Sequence, residues 1–370
     1  MEKGTNSLVS QEGRLLSVDL FRGLTMFLLI AEFTRLFSYM VDPELNNTLI
    51  NFIGKQFHHH PWNGLHFWDL IQPFFMFIVG VAIPLSVSKR EARGDSNKSI
   101  LYHVIFRSIL LLILGWALYC IGPGRITFRF QNVLAQLSLT YLVAFLMRKR
   151  STRVQITFTL FILLIMECVY RFFPVEGFNQ PFTPDHNFGA FMDILISGEL
   201  SGGHWVSFNA VPTIAHTMWG VLAGQLLLSS RSQKMKVKIL LFAGLAGLLI
   251  GYSLGLVTPI IKRICTSSFV ITSGGWSLLV LCFFYWLIEV KKIRKWANIF
   301  AVVGKNPLFI YLFAHVGGGD LLYNIVKPFT MGLFSWAGEL TAKLITSLIV
   351  LYLLWYICFW LYKKKIFIRI

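Results

Sequence analysis

His58-His59-His60-Pro61-Trp62-Asn63-Gly64-Leu65-His66-Phe67-Trp68-Asp69 runs straight into Leu70-Ile71-Gln72-Pro73-Phe74-Phe75-Met76-Phe77-Ile78-Val79-Gly80-Val81-Ala82-Ile83. The second half opens an apolar run long enough for a helix, rising 1.5 Å per residue, to cross a hydrocarbon core of about 30 Å. The first half sets three adjacent imidazoles and, within a few residues, a carboxylate at the mouth of that helix. Ionisable groups are costly there, and moving a proton near neutral pH is a reason to keep them.

The rest of the chain reads the same way. Hydrophobic residues make up 55% and charged residues 14%, with a mean hydropathy of +0.64, where a soluble domain carries nearer a quarter charged residues. Apolar runs of about 18 to 22 residues recur to the end. The sequence predicts an all-α membrane protein, a polytopic bundle of about ten transmembrane helices near 17–38, 67–87, 101–121, 132–147, 154–173, 211–229, 239–257, 270–290, 297–316 and 341–362. Gly80-Val81-Ala82-Ile83-Pro84 is read as a break in the second. No repeat or soluble segment divides residues 1–370, so they are expected to form a single transmembrane domain. The first residues are too polar for a cleavable signal peptide. Cys120, Cys168, Cys265, Cys282 and Cys358 are odd in number and scattered, which suits small buried hydrophobes and neither a disulfide nor a metal framework.

The basic residues orient the helices. Most of the 34 lysines and arginines fall on the N-terminal segment and on alternate loops: Lys89 to Lys98, Arg148 to Arg153, Arg231 to Lys238, Lys291 to Lys295 and Lys363 to Arg369. By the positive-inside rule both termini are cytoplasmic. The net charge of +17 then reflects loops facing anionic lipid and calls for no nucleic acid. The longer loops lie on the other face. They are residues 39–66 with the histidines, 174–210 with Asp185, His186, Asp193, Glu199 and His204, and 317–340, which begins Gly317-Gly318-Gly319-Asp320.

Several ionisable groups fall within the expected spans: Asp19, Arg22, Glu32, Arg35, Asp69, Arg107, Glu167, Lys305, His216 and His315. Each must pair, face the bundle interior or line a wet cavity. Asp19 and Arg22 are three apart and can pair, and Glu32 and Arg35 repeat the spacing. Arg107 and Lys305 have no obvious local partner, and an anionic ligand such as a phosphate group is one candidate. Adjacent histidines cannot all face one ion and no H-x-x-x-H pair supports them, so no metal is expected. His58 and His60 read as polar loop residues, and His216 and His315 as satisfied core groups.

Ser17-Val18-Asp19-Leu20-Phe21-Arg22-Gly23-Leu24 resembles the opening motif of the heparan-α-glucosaminide N-acetyltransferase family and its bacterial relatives, within the transmembrane acyltransferase superfamily. His59-His60-Pro61-Trp62-Asn63-Gly64-Leu65 is similar to its H-x-x-W-N-G-L motif. Asp69 to Gly80 is similar to its D-L-x-x-P-x-F-x-F-I-x-G continuation. Pro259, Lys262 and Thr266-Ser267-Ser268-Phe269-Val270 resemble P-I-x-K-x-x-W-T-S-S-F-V, and Gly304-Lys305-Asn306-Pro307-Leu308-Phe309-Ile310-Tyr311 resembles a weaker G-x-N-x-L-x-x-Y segment. The chain departs at Val133-Leu134-Ala135-Gln136, where the family has V-L-Q-R. It also departs at Ala31-Glu32-Phe33-Thr34, where the family has an Asn, and at Cys265, where it has Trp.

The resemblance implies a multi-pass enzyme of the bacterial inner (cytoplasmic) membrane. It would take acetyl from cytoplasmic acetyl-CoA, as co-substrate, to the amino group of a heparan-type glucosaminide on the other side. It carries the catalytic histidine onto His59 and its carboxylate partner onto Asp69. The chemistry agrees: acyl transfer to an amine needs a base of suitable pKa, and His59 can be that base or accept the acetyl group itself. Asp69 can hold its tautomer, and Asn63 can offer an N–H to the oxyanion. Trp62 offers a flat face for a sugar ring, with Glu32 and His186 as further acceptor contacts. Arg22, Asp19, Arg107, Lys305 and Asn306 are expected along the path of the donor, whose phosphates suit Lys89, Arg90 and Arg93. The partners implied are acetyl-CoA, an amino-sugar or glycosaminoglycan-derived acceptor and the bilayer, with a homodimer left open. The competing reading is an amino-sugar or oligosaccharide transporter, in which the same groups line a permeation path.

Overall fold

The computed structural model describes residues 15–121 and 124–368. These are helical, with no strand among them. The chain runs through α1 (Leu16–Glu32), α2 (Leu36–Met40), α3 (Leu49–Gln56), α4 (Ile71–Glu91), α5 (Asn97–Ile121), α6 (Val133–Met147), α7 (Thr152–Phe172) and α8 (Phe188–Ser197). It continues through α9 (Ala210–Leu228), α10 (Gln233–Leu254), α11 (Ser267–Tyr285), α12 (Ala297–Val303), α13 (Pro307–Phe313), α14 (Gly319–Phe334) and α15 (Glu339–Lys363). Among the described residues eight helical stretches are long and apolar enough to cross a membrane, and α6 is a shorter apolar helix. This is a multi-pass helical membrane protein.

Helix starts follow the capping residues. Ser151 accepts from the Val154 N–H, Ser232 from Met235 and Asn132 from Leu134, satisfying backbone donors at each N-terminus. Close helix pairs are set by glycine. A Cβ on Gly80 of α4 would stand 2.0 Å from the Thr217 carbonyl oxygen, and one on Gly220 of α9 would stand 2.0 Å from that of Phe77. The two backbones are in contact there, an approach that small residues permit in a membrane. The same holds at Gly23 of α1, where a Cβ would meet the Phe300 carbonyl at 2.0 Å.

Ser17 bonds Glu289 through its N–H and its hydroxyl, at 3.2 and 3.3 Å. The Asn306 side chain brackets the end of the chain, donating to the Ile366 carbonyl at 2.9 Å and accepting from the Ile368 N–H at 2.8 Å. Both described ends therefore lie beside residues 289–306, on one face of the bundle.

Three expectations change. The first span ends at Glu32, the helix being broken before the left-handed Arg35, φ 64°, and Arg35 pairs with Asp320 at 2.6 Å, not with Glu32. Pro84 does not break its helix: α4 runs on to Glu91, and the ring packs in the space that the absent Cβ of Gly224 leaves. The span expected at 297–316 is interrupted at Gly304-Lys305-Asn306, and after a π turn at Ala314–Gly318 the chain continues as α14 where a loop was expected.

Candidate active site

Asp69 lies in a 3-10 turn, Phe67–Leu70, that leads into α4. It is 1% exposed, so its carboxylate needs partners. Its Oδ2 accepts from the backbone N–H groups of His60 at 3.1 Å and His66 at 2.9 Å. Its Oδ1 lies 2.8 Å from His59 Nδ1. An ionised carboxylate only accepts, so the shared proton sits on Nδ1 and Nε2 keeps its lone pair. The HHHPWNG segment thus wraps around one buried carboxylate, which selects the tautomer of one histidine. His58 is spent on the Phe37 carbonyl at 3.1 Å, and His66 on the His58 carbonyl at 2.9 Å.

Lys262 enters from the α10–α11 loop, 7% exposed. Its Nζ is 3.2 Å from His59 Nδ1 and 3.9 Å from Asp69 Oδ1. Burial pushes its ammonium down to about 8, against the pull of Asp69 and Glu32. Burial and then the Lys262 charge push His59 down to about 4, against the pull of Asp69. Trp205 closes the group from the α8–α9 loop, its ring edge-on to His59 at 5.1 Å, with Lys262 Nζ 5.5 Å from the ring centre.

The Lys262 loop is tied down by the residues that follow it. Thr266 Oγ1 accepts from the Ile261 N–H at 3.0 Å and donates to the Pro259 carbonyl at 2.8 Å. Ser268 donates to the same carbonyl at 3.0 Å. Asn63 joins this loop to the histidine loop: its Oδ1 accepts from the Ile260 N–H at 3.0 Å, and the Gly64 N–H reaches the Ile260 carbonyl at 2.9 Å. The structure places Asn63 as a stitch between two loops and not on a cavity wall.

His59, Lys262 and Trp205 line an outer cavity of about 440 Å³ together with Glu32, Gln72, Arg129 and others. Glu32 stands in the cavity and is reached by its solvent although protein surrounds it. An inner cavity of about 220 Å³ is lined by Arg22, Ser86, Arg107 and Tyr141. The two cavities share Leu29, Val133 and Tyr311 as lining residues, so they abut. One stripe of α1 serves both, Arg22 and Met26 on the inner and Glu32 on the outer with Leu29 between. Arg22 to Glu32 is about 15 Å of helix.

The chain is 25% identical over 434 aligned positions to heparan-alpha-glucosaminide N-acetyltransferase of Mus musculus, covering 98% of this chain and 61% of that protein. It is 24% identical to the Homo sapiens protein of the same name, covering 96% and 60%. The chain resembles these enzymes over almost its whole length. It spans about 60% of theirs. Residues 14–177 also match a family described as a domain of unknown function, DUF5009.

The expected site residues divide accordingly. His59, Asp69 and Glu32 come together at the outer cavity, and Arg22 and Arg107 at the inner one. Asp19 pairs with Arg22 at 2.8 Å, and the Arg107 guanidinium lies 4.9 Å from the Tyr141 ring centre. Asn306 is committed to the C-terminal tail, in the turn it shares with Lys305. Trp62 donates to the Phe182 carbonyl at 2.7 Å, and the exposed His186 contacts the Gly177 carbonyl at 3.0 Å. Neither lines the outer cavity. Trp205, Arg129 and Gln72 carried no signal in the sequence, and Lys262 and Tyr311 were visible only as single letters of motifs.

Proposed function

We propose that residues 1–370 act as one transmembrane N-acetyltransferase of the inner membrane. Acetyl passes from cytoplasmic acetyl-CoA to the amino group of a glucosamine-containing sugar, of the heparan glucosaminide type, on the opposite side. The observation that carries this reading is the His59–Asp69 pair on an outer cavity that abuts an inner cavity bearing Arg22 and Arg107. A donor with anionic phosphates and a long flexible arm fits that order. Its phosphates sit at the basic face near Lys89, Arg90 and Arg93, with Arg22 and Arg107 above. Its arm follows the α1 stripe past Leu29 and Tyr311, and its thioester meets His59.

The acceptor enters the outer cavity, where the Glu32 carboxylate holds its ammonium until that nitrogen gives one proton to solvent. In direct transfer the free amine attacks the thioester carbonyl and Nε2 of His59 takes the proton the nitrogen sheds. The C–S bond then breaks, and the departing thiolate takes that proton from Nε2. If His59 accepts the acetyl group first, the same lone pair makes the attack, so both routes begin from neutral His59. Trp62 and His186, outside the cavity, are left for sugar units beyond the reacting one. Asn63 contributes by fixing Lys262 relative to His59.

The test is turnover of acetyl-CoA by the purified protein in detergent or nanodiscs with glucosamine as acceptor, read as free thiol and N-acetylglucosamine. Transfer to the amine is the expected result. Flux of amino sugar through proteoliposomes, with no acetyl transfer, would replace this reading with the carrier.

A further inference from the structure

A buried lysine beside a catalytic-type His–Asp pair is an odd choice for a membrane protein. The site already contains one pair whose charges can balance, and a second cation 3.2 Å from the imidazole opposes any positive charge on it. Lys262 cannot be a hydrogen-bond donor to Nδ1 while that nitrogen gives its proton to Asp69, because a ring nitrogen carries a proton or a lone pair and not both. Nor is it a loose side chain. It is 7% exposed, its loop is stitched through Thr266, Ser268 and Asn63, and it faces Trp205. The chain has built a fixed positive charge against one ring.

We propose that Lys262 is a positioning residue that holds His59 in its neutral form, so that Nε2 keeps a free lone pair below neutral pH. This rests on the acetyltransferase reading for its purpose but not for its physics. The groups around His59 divide by sign. Asp69, from the turn before α4, and Glu32, from α1, favour the imidazolium. Lys262 and Arg263, from the α10–α11 loop, and Arg129, ahead of α6, oppose it. His60 and His66 on its own loop and His315 from the π turn add no fixed charge while they stay neutral. Among the cations Lys262 is the one within 4 Å of the ring and also buried, so it is the least screened. At every pH where His59 titrates, Lys262 is itself charged, since its own titration lies near 8. Asp69 therefore chooses which nitrogen holds the proton of the neutral ring, and Lys262 keeps a second proton off.

The experiment reads the protonation of His59 directly. Diethyl pyrocarbonate is attacked by an unprotonated imidazole nitrogen, which becomes ethoxycarbonylated as ethanol and carbon dioxide leave. The rate at His59 is followed by peptide mass spectrometry from pH 4.5 to 8 on the full chain in nanodiscs, for wild type, Lys262→Met, Lys262→Gln and Lys262→Arg. Elution as a single species and an unchanged melting profile identify the folded variants. In wild type the rate at His59 stays flat down to about pH 5, following a titration near 4. In Lys262→Met or Lys262→Gln the fall-off moves up by about one to three pH units, and Lys262→Arg returns it toward wild type. A fall-off at the wild-type pH in whichever neutral variant is folded overturns the proposal. If the fall-off moves as expected while wild type shows no acetyl transfer, the charge assignment stands and the acetyltransferase reading fails.

Discussion

Asp69→Asn is the sharpest test of the site, because it removes a charge without removing the shape. In the wild type Oδ2 accepts from two backbone N–H groups, at 3.1 and 2.9 Å. An asparagine there must keep its oxygen on those donors, since turning the NH2 toward them would set donors against donors. The NH2 then faces His59 and needs an acceptor, which forces the lone pair onto Nδ1 and the proton onto Nε2. The nitrogen that must accept a proton or an acetyl group now carries a hydrogen. An inverted tautomer of this kind costs a histidine-dependent acyl transfer roughly 10³- to 10⁴-fold in kcat, about 4 to 5.5 kcal/mol of barrier. The fold suffers less. Lys262 loses a carboxylate 3.9 Å away, but with its titration already near 8 it sheds its proton close to neutral pH instead of remaining a buried unpaired charge. Stability then falls by the weakened hydrogen bonds, about 1 to 3 kcal/mol. The assay is acetyl-CoA turnover with glucosamine at pH 6 to 8, with donor affinity measured separately by calorimetry and expected to be unchanged. A folded Asp69→Asn protein that loses less than tenfold, about 1.4 kcal/mol, would show that the tautomer of His59 is not what the reaction depends on.

Other outcomes follow from the same geometry. His59→Ala should abolish transfer while expression and acetyl-CoA affinity hold, whereas His58→Ala, which gives up only a contact with the Phe37 carbonyl, should cost much less; an active His59→Ala protein would misplace the site. Arg107→Ala should weaken acetyl-CoA binding about tenfold or more, because a guanidinium that lines the inner cavity and stacks on Tyr141 loses a charge-assisted contact to phosphate; unchanged affinity in the folded variant would remove Arg107 from the donor path. A cysteine placed at position 234 should resist an impermeant thiol reagent on intact cells, and strong labelling there would invert the orientation of the bundle.

What the amino-acid sequence determined by itself is the set of properties carried by short stretches. Helix lengths are of this kind: the run expected at 154–173 forms at Thr152–Phe172 and that at 211–229 at Ala210–Leu228, because an apolar stretch matched to the bilayer has few other ways to satisfy its backbone. The histidine cluster and Asp69 were legible as residues, and the resemblance of their motif singled out His59, which one turn brings onto Asp69 ten residues on. Lys262 comes from 203 residues away and Trp205 from a loop without regular periodicity. No local pattern says that these side chains will meet one imidazole. The first span also stops early, and just past its end Arg35 pairs with Asp320, 285 residues away, a contact that no local pattern announces. The two cavities, and the contact between them at Leu29, Val133 and Tyr311, exist only where α1, α4, α5, α6 and α13 leave space. Packing of whole helices sets that space, and it depends on glycine contacts such as Gly80 on Thr217 that pair residues remote along the chain.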